Sequence, residues 1–256
     1  MSDLEMRLED GALWLTLNRP DQFNALTGEM VVEAIEQLRG ATSRDDVRVV
    51  VLTGTGGAFC AGADLGGADA QEKYDAGSVD AANHVIRAVT GLDQPVVCGL
   101  NGIAAGVGMS VALACDLVVA TESAALTLAF TKIGLMPDGG ATATLAASVG
   151  RARAMRLALL SDVITAQEAY DAGLVTHVFP DADYAEGLAK IIRRLSTGAP
   201  LAFAATKKAV NAATLGALDA AFARERSGQS LLLRSEDVAE GMKAFTEKRR
   251  PDFHGR

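Results

Sequence analysis
The chain has 256 residues, 49% of them apolar and 22% charged, which is enough for one sizeable core with a small appendage. A formal charge of −8 excludes nucleic-acid binding through a broad basic face, while leaving room for a local basic pocket that takes a small polyphosphate. Cys60, Cys98 and Cys115 lack metal-ligand spacing and His84, His177 and His254 are scattered, so the pattern predicts reduced thiols, no structural zinc and a cytoplasmic location.

The acidic start, Met1 to Glu5, lacks the apolar stretch of a signal peptide. Alternation from Ala12 to Leu17 predicts a strand, and Thr27 caps a helix with Val31, Ala34, Ile35 and Leu38 on one face. The run Val47 to Leu52 is a strand that leads into a first corner, Phe59-Cys60-Ala61-Gly62-Ala63-Asp64-Leu65. Gly66 to Ser78 has no period and reads as a loose loop beside that corner, with a helix following near Asp80 to Thr90.

Pro95 opens the strand that feeds a second corner, Asn101-Gly102-Ile103-Ala104-Ala105-Gly106-Val107-Gly108. A short helix to Cys115 and a strand from Leu117 to Ala120 come next. The segment Pro95 to Ala120 is almost uncharged, yet Asn101, Ser110, Asp116 and the β-formers Val96 and Val97 mark it as buried strand, corner and helix, not a membrane span. Thr165 and Glu168 form a capping box, Gly173 stops that helix, and Leu174 to Phe179 is a short strand. From Asp181 onward only helices are predicted, punctuated by Pro200, with Ser235 starting the last; such a tail needs another surface to pack on.

Glycine after a strand is common punctuation, and either corner alone reads as a turn. Each corner nevertheless opens a helix whose first N–H groups have no internal partner. Two such corners side by side in a parallel sheet would aim two N–H groups at one carbonyl oxygen, forming an oxyanion hole for chemistry on an acyl group. No phosphate-binding loop of the G-x-x-x-x-G-K-[ST] kind occurs, and Gly106-Val107-Gly108 lacks the third glycine of a dinucleotide fingerprint. Gly108-Met109-Ser110 enters a helix as a hydrolase nucleophile does, but Ala112 replaces the last glycine and no histidine falls in a motif.

Several segments together carry a resemblance to a known family. They are Leu17-Asn18-Arg19-Pro20 with Asn24-Ala25-Leu26, the two corners through Cys115-Asp116, Ile133 to Gly140, Ala169 to Val175, and Glu240 to Phe245 with Glu247-Lys248-Arg249. In order and spacing from Leu15 to Phe253 the chain resembles the crotonase, or enoyl-CoA hydratase/isomerase, family. The resemblance implies an α/β fold: a crotonase-like spiral of ββα units over residues 1–196, and an all-helical region over 197–256 that drives assembly into a homotrimer or a dimer of trimers. It also implies an acyl-CoA thioester substrate, with no cofactor beyond the coenzyme A that the substrate carries.

By motif position, Ala63 and Val107 match the two backbone donors of the family's oxyanion hole. Phe23, Ala25 and Leu26 match the pantetheine and adenine path, while Ala61, Asp64 and Leu65 close on the thioester end. Gly102, Ile103, Gly106 and Pro137 belong to the same motifs, and Phe245 and Lys248 match residues that reach the nucleotide, in this or a neighbouring subunit. The two hydratase glutamates fall on Ser110 and Phe130, neither of which is a carboxylate base.

The nearest acid is Asp138. On the residues alone, Pro137-Asp138-Gly139-Gly140 reads as a turn whose aspartate caps the Ala-rich helix that follows. The Δ3,Δ2-enoyl-CoA isomerases place one catalytic carboxylate in a similar string, and burial between walls such as Phe130 and Met136 would make Asp138 a better proton shuttle. Hydratase or other enolate chemistry and a non-catalytic acyl-CoA-binding role stand as alternatives. Asp64 and Asp116 read as structural, as a helix cap and a helix end.

Overall fold
The computed structural model describes residues 2–65 and 75–256. The chain opens on a hairpin, β1 (Leu4–Glu9) antiparallel to β2 (Ala12–Leu17), turned by Asp10 and Gly11 at φ of 49° and 78°. Two adjacent left-handed residues twist the turn in the sense that the strands require. Thr27 then caps α1 (Gly28–Ala41) by accepting from the Met30 N–H, and Leu38 is buried on its inner face, as the spacing predicts.

Three strand pairs follow, each split between two sheets. They are β3 (Val49–Gly54) with β4 (Ala58–Cys60), β5 (Val96–Leu100) with β6 (Ile103–Ala105), and β7 (Leu117–Thr121) with β8 (Ala125–Thr127). The longer members lie parallel in a six-stranded sheet of order β1-β2-β3-β5-β7-β10, closed by β10 (His177–Phe179). The shorter members form a second sheet, β4-β6-β8-β9, in which β9 (Ile164–Thr165) runs antiparallel to β8. Helices α2 (Ala76–Gly91), α3 (Val107–Ala114) and α4 (Ala141–Leu160) return the chain, so parallel strands recur with helical crossovers. This is the repeated ββα spiral that the resemblance implies.

The inner strands β3, β5 and β7 are buried on both faces, which explains their solid apolar runs. Val49, Val51, Val97 and Val119 pack under α6 (Tyr184–Ser196) through Leu188 and Ile192. Val50, Leu52, Val96 and Cys98 face the main core. The predicted capping box opens α5 (Ala166–Asp171), and after β10 every element is helical: α6, α7 (Pro200–Thr214), α8 (Leu218–Leu232) and α9 (Glu236–Thr246), the last capped by Ser235. Among the described residues, no helix is long and apolar enough to cross a membrane.

Some boundaries differ from the sequence reading. Asp75 accepts from the Ser78 N–H and starts α2 at Ala76, so residues 76–78 are helical and not loop; residues 66–74 of that predicted loop, and any helix opened by the first corner, lie outside the described residues. A short strand, β6, precedes the helix of the second corner.

Asp116 is structural, though it does more than end a helix. Its Oδ2 accepts from the Val96 N–H at 2.7 Å and pairs with Lys207 Nζ at 2.8 Å. Burial pushes its carboxyl above the ordinary range, with Lys207 and the Val96 amide only partly offsetting that. Lys207, itself buried, also donates to the carbonyls of Val89 and Gln94 and so ties α7 to the core. Removing it strands a buried carboxylate, and Lys207→Ala is expected to lower unfolding stability in urea by about 3–5 kcal/mol.

Candidate active site
The two corners meet where β4 and β6 run parallel. At the first, Leu26 pairs with Ala63: the Leu26 N–H donates to Gly62 O at 2.8 Å and the Asp64 N–H to Leu26 O at 3.0 Å. In a parallel bridge of this register the N–H of Ala63 turns to the opposite side, toward the second corner. There Gly106, at φ 53° and ψ −130°, delivers Val107 as the first residue of α3. Among the described residues, no backbone carbonyl accepts from the N–H of Ala63 or Val107. Gly62, at φ 104°, keeps the gap open: a Cβ there would stand 3.0 Å from Ala105 O and 3.7 Å from Val107 N.

Two asparagines hold this arrangement. Asn24, fully buried, donates to the carbonyls of Thr55 and Ala58 and accepts from the Arg19 N–H. Asn101 donates to Gly56 O and Ala58 O and accepts from the Gly54 N–H. Both thus converge on Ala58, the first residue of β4, which fixes the strand entering the first corner.

Ala63 and Val107 line a cleft with about 1450 Å³ of empty space, part of it open to solvent. Of the predicted residues, Phe23, Ala25, Ala61, Asp64, Leu65, Gly106, Phe130, Phe245 and Lys248 line it as well. Phe245 is 63% exposed and reaches the cleft of its own chain from the end of α9. Ile133 and Leu135 line the cleft from the Ile133-to-Gly140 segment, and Gln22, Ala129, Lys132 and Thr246 do so without a signal in the sequence. Lys132 and Lys248 place two positive charges on the lining of this cleft in an otherwise acidic chain.

Five other predicted residues play different parts. The side chain of Leu26 lines a separate apolar pocket with Leu15, Met30 and Phe59, and only its backbone supports the corner. Gly102 is a packing residue, since a Cβ there would come within 2.2 Å of Gly57 O. Ile103 opens β6 and pairs with Ala58. Pro137 is buried in the loop before α4. Ser110 is fully buried and its hydroxyl donates to Asp138 O at 2.8 Å, so it neither lines the cleft nor faces a base. Asp64 pairs with Arg19 at 2.8 Å.

Asp138 is fully buried and outside the cleft lining. Its loop abuts the oxyanion helix: a Cβ on Gly139 would lie 3.1 Å from Ser110 Cβ and 3.6 Å from Val107 Cγ2. Oδ2 accepts from Gln229 Nε2 at 2.8 Å. The capping role read from the Pro-Asp-Gly string belongs to another residue. Gly140 is the N-cap of α4 without a side-chain cap of its own, and Glu225 accepts from the N–H groups of Gly140 and Thr142 at 2.7 and 2.9 Å. A carboxylate at a helix start also meets the positive end of the helix dipole.

The three cysteines are free and buried. Burial pushes the Cys60 thiol up to about 12, and Cys98 is raised as well. Burial withholds all three thiols from reagent, so native protein is expected to take up no iodoacetamide at pH 8 on the timescale in which guanidinium-unfolded protein takes up three equivalents, as read by mass spectrometry.

A family model described as enoyl-CoA hydratase/isomerase matches residues 7–256. The 1,2-epoxyphenylacetyl-CoA isomerase of Escherichia coli (strain K12) is 38% identical over 254 residues, covering 97% of each chain. The 2,3-dehydroadipyl-CoA hydratase of the same organism is 37% identical over 257 residues, covering 100% of each. The crystal structure of an enoyl-CoA hydratase from Mycobacterium avium subsp. paratuberculosis K-10 superposes with a TM-score of 0.93 at 45% identity, covering 99% of each chain.

Proposed function
The chain belongs to the enoyl-CoA hydratase/isomerase family, and from that premise we propose that it moves the double bond of a 3-enoyl-CoA to the 2-position, with Asp138 as acid and base. The observation that carries this reading is the state of Asp138: fully buried, gripped by Gln229, packed beside the oxyanion helix, and relieved of helix capping by Glu225. A carboxyl group kept from water beside the oxyanion helix, where another residue caps the helix that follows, is a candidate for proton transfer.

The thioester oxygen rests between the N–H groups of Ala63 and Val107. The Asp138 carboxylate takes a proton from C2, the electron pair moves through the 3,4 double bond and the carbonyl to give a dienolate, and the two N–H groups stabilise its oxygen. The same carboxyl returns the proton to C4, leaving the double bond between C2 and C3. One acid therefore suffices, whereas hydration requires activated water, and Ser110 and Phe130 stand where hydratases carry glutamates. The relative named as an isomerase acts, by its name, on an epoxide of phenylacetyl-CoA, and the relative named as a hydratase makes a 2-enoyl-CoA the necessary second substrate to test.

Lys132 and Lys248 support nucleotide phosphates at the cleft mouth, with Phe23 and Phe245 flanking the pantetheine. Leu201 and Leu231, at 85% and 71% exposure on the C-terminal helices, support burial of that region against further copies of the chain in a trimer. The deciding assay is absorbance of the conjugated enoyl thioester. A rise with a 3-enoyl-CoA supports the isomerase, a fall with a 2-enoyl-CoA replaces it with a hydratase, and binding without either change leaves an acyl-CoA-binding protein.

A further inference from the structure
We propose that Gln229, on the C-terminal helix α8, is the positioning residue for Asp138, and that Glu225 one turn earlier fixes the loop that carries it. This rests on the reading of Asp138 as the acid and base. Leu218, Phe222, Glu225 and Gln229 recur at spacings of four, three and four residues, which is one face of a helix. All four meet the loop from Met136 to Thr142. Leu218 Cδ1 and Phe222 Cε1 lie 2.6 and 2.9 Å from where a Cβ on Gly140 would stand. Glu225 accepts from the N–H groups of Gly140 and Thr142 and, at 2.5 Å, from Thr142 Oγ1. Gln229 Oε1 accepts from the Met136 N–H at 3.3 Å while its Nε2 donates to Asp138 Oδ2.

Glu225 and Gln229 are both fully buried, which costs free energy unless their polar atoms are engaged. Their bonds run to one loop, whose Pro-Asp-Gly-Gly sequence does not order itself through regular structure. Gly228 allows the close approach, since a Cβ there would fall 2.3 Å from Met136 Sδ. The same helix also meets α2 through two exposed ion pairs, Arg87 with Asp219 and Arg226 with Asp80. A carboxamide suits the task because it donates to the carboxylate without titrating. Among the described residues facing this loop, α8 contributes the ionisable Glu225 and α3 the Ser110 hydroxyl, which is bonded to the Asp138 carbonyl.

Two variants separate holding the loop from orienting the carboxylate. Gln229→Met removes both bonds. Gln229→Glu keeps an acceptor for the Met136 N–H but sets a second carboxyl against Asp138. With a 3-enoyl-CoA, each is expected to lower kcat about 100-fold while leaving KM near the wild-type value. Gln229→Glu should also move the ascending limb of the kcat profile to higher pH, because two adjacent carboxyls hold a shared proton. Wild-type kcat and an unmoved limb in Gln229→Glu would overturn the proposal and leave Gln229 as a loop anchor; this variant decides the matter where Gln229→Met does not fold. Asp138→Asn assayed in parallel separates the two levels. If it is inactive while Gln229→Glu is normal, only the positioning role fails, and if it retains full turnover, the acid/base reading itself fails.

Discussion

Asp138→Asn is expected to lower the rate of absorbance increase on a 3-enoyl-CoA by about 1,000-fold, the middle of the range for a positioned acid/base group. The substitution preserves size and still offers Gln229 Nε2 an acceptor, so the buried loop retains its bond from α8. What it removes is the ability to take a proton from C2 and return it to C4. Binding of an unreactive acyl-CoA should persist, because the substitution is isosteric, keeps the bond from Gln229 and leaves every residue lining the cleft in place. Stability separates this from the helix-cap reading. Loss of a cap would lower stability by about 1 kcal/mol with activity intact, whereas α4 is capped by Glu225 and should melt as in the wild type. Unchanged turnover in Asp138→Asn would end the isomerase proposal.

How much of this was legible in the sequence depends on how far apart the cooperating residues are. The two corners were readable because strand, glycine and helix follow one another directly, and β4 beside β6 does bring them together. The hairpin strand β1 is hard to read although Asp10-Gly11 is a strong local turn signal, because Leu4 to Glu9 faces solvent at all but its first residue. The strands β4, β6 and β8 have three residues each, too few to display a period of two. Asp75 offered a helix start that a run of Gly, Ala and Asp concealed. The clamp on Asp138 left no trace of its purpose: a Glu and a Gln on an otherwise mixed helix resemble a solvated face, and their partners lie 85 and 91 residues away. For the same reason the residues alone make Asp138 its own helix's cap, and only the resemblance points to catalysis. Local chemistry proposes the nearest acid, and tertiary packing supplied Glu225 instead.

Val107→Pro is expected to lower kcat about 100- to 1,000-fold, or about 3–4 kcal/mol of transition-state stabilisation, by deleting one donor of the oxyanion hole. Backbone donors are ordinarily beyond reach of mutation, but this one heads a helix. Val107 is the first residue of α3, the position at which proline is best tolerated because its missing N–H has no intrahelical partner. Gly106 before it, at φ 53° and ψ −130°, adopts the mirror image of the extended conformation that proline imposes on its predecessor, a region open to glycine. The helix should therefore persist by circular dichroism. Val107→Ala supplies the comparison, since it keeps the N–H and trims the same side chain from the cleft wall and from Gly139; its kcat should stay within about tenfold of wild type. Equal losses in the two variants would trace the effect to the side chain and remove Val107 N from the mechanism. A loss confined to the proline variant, with acyl-CoA affinity retained, would mean that the second corner acts on the developing oxyanion rather than on the bound thioester.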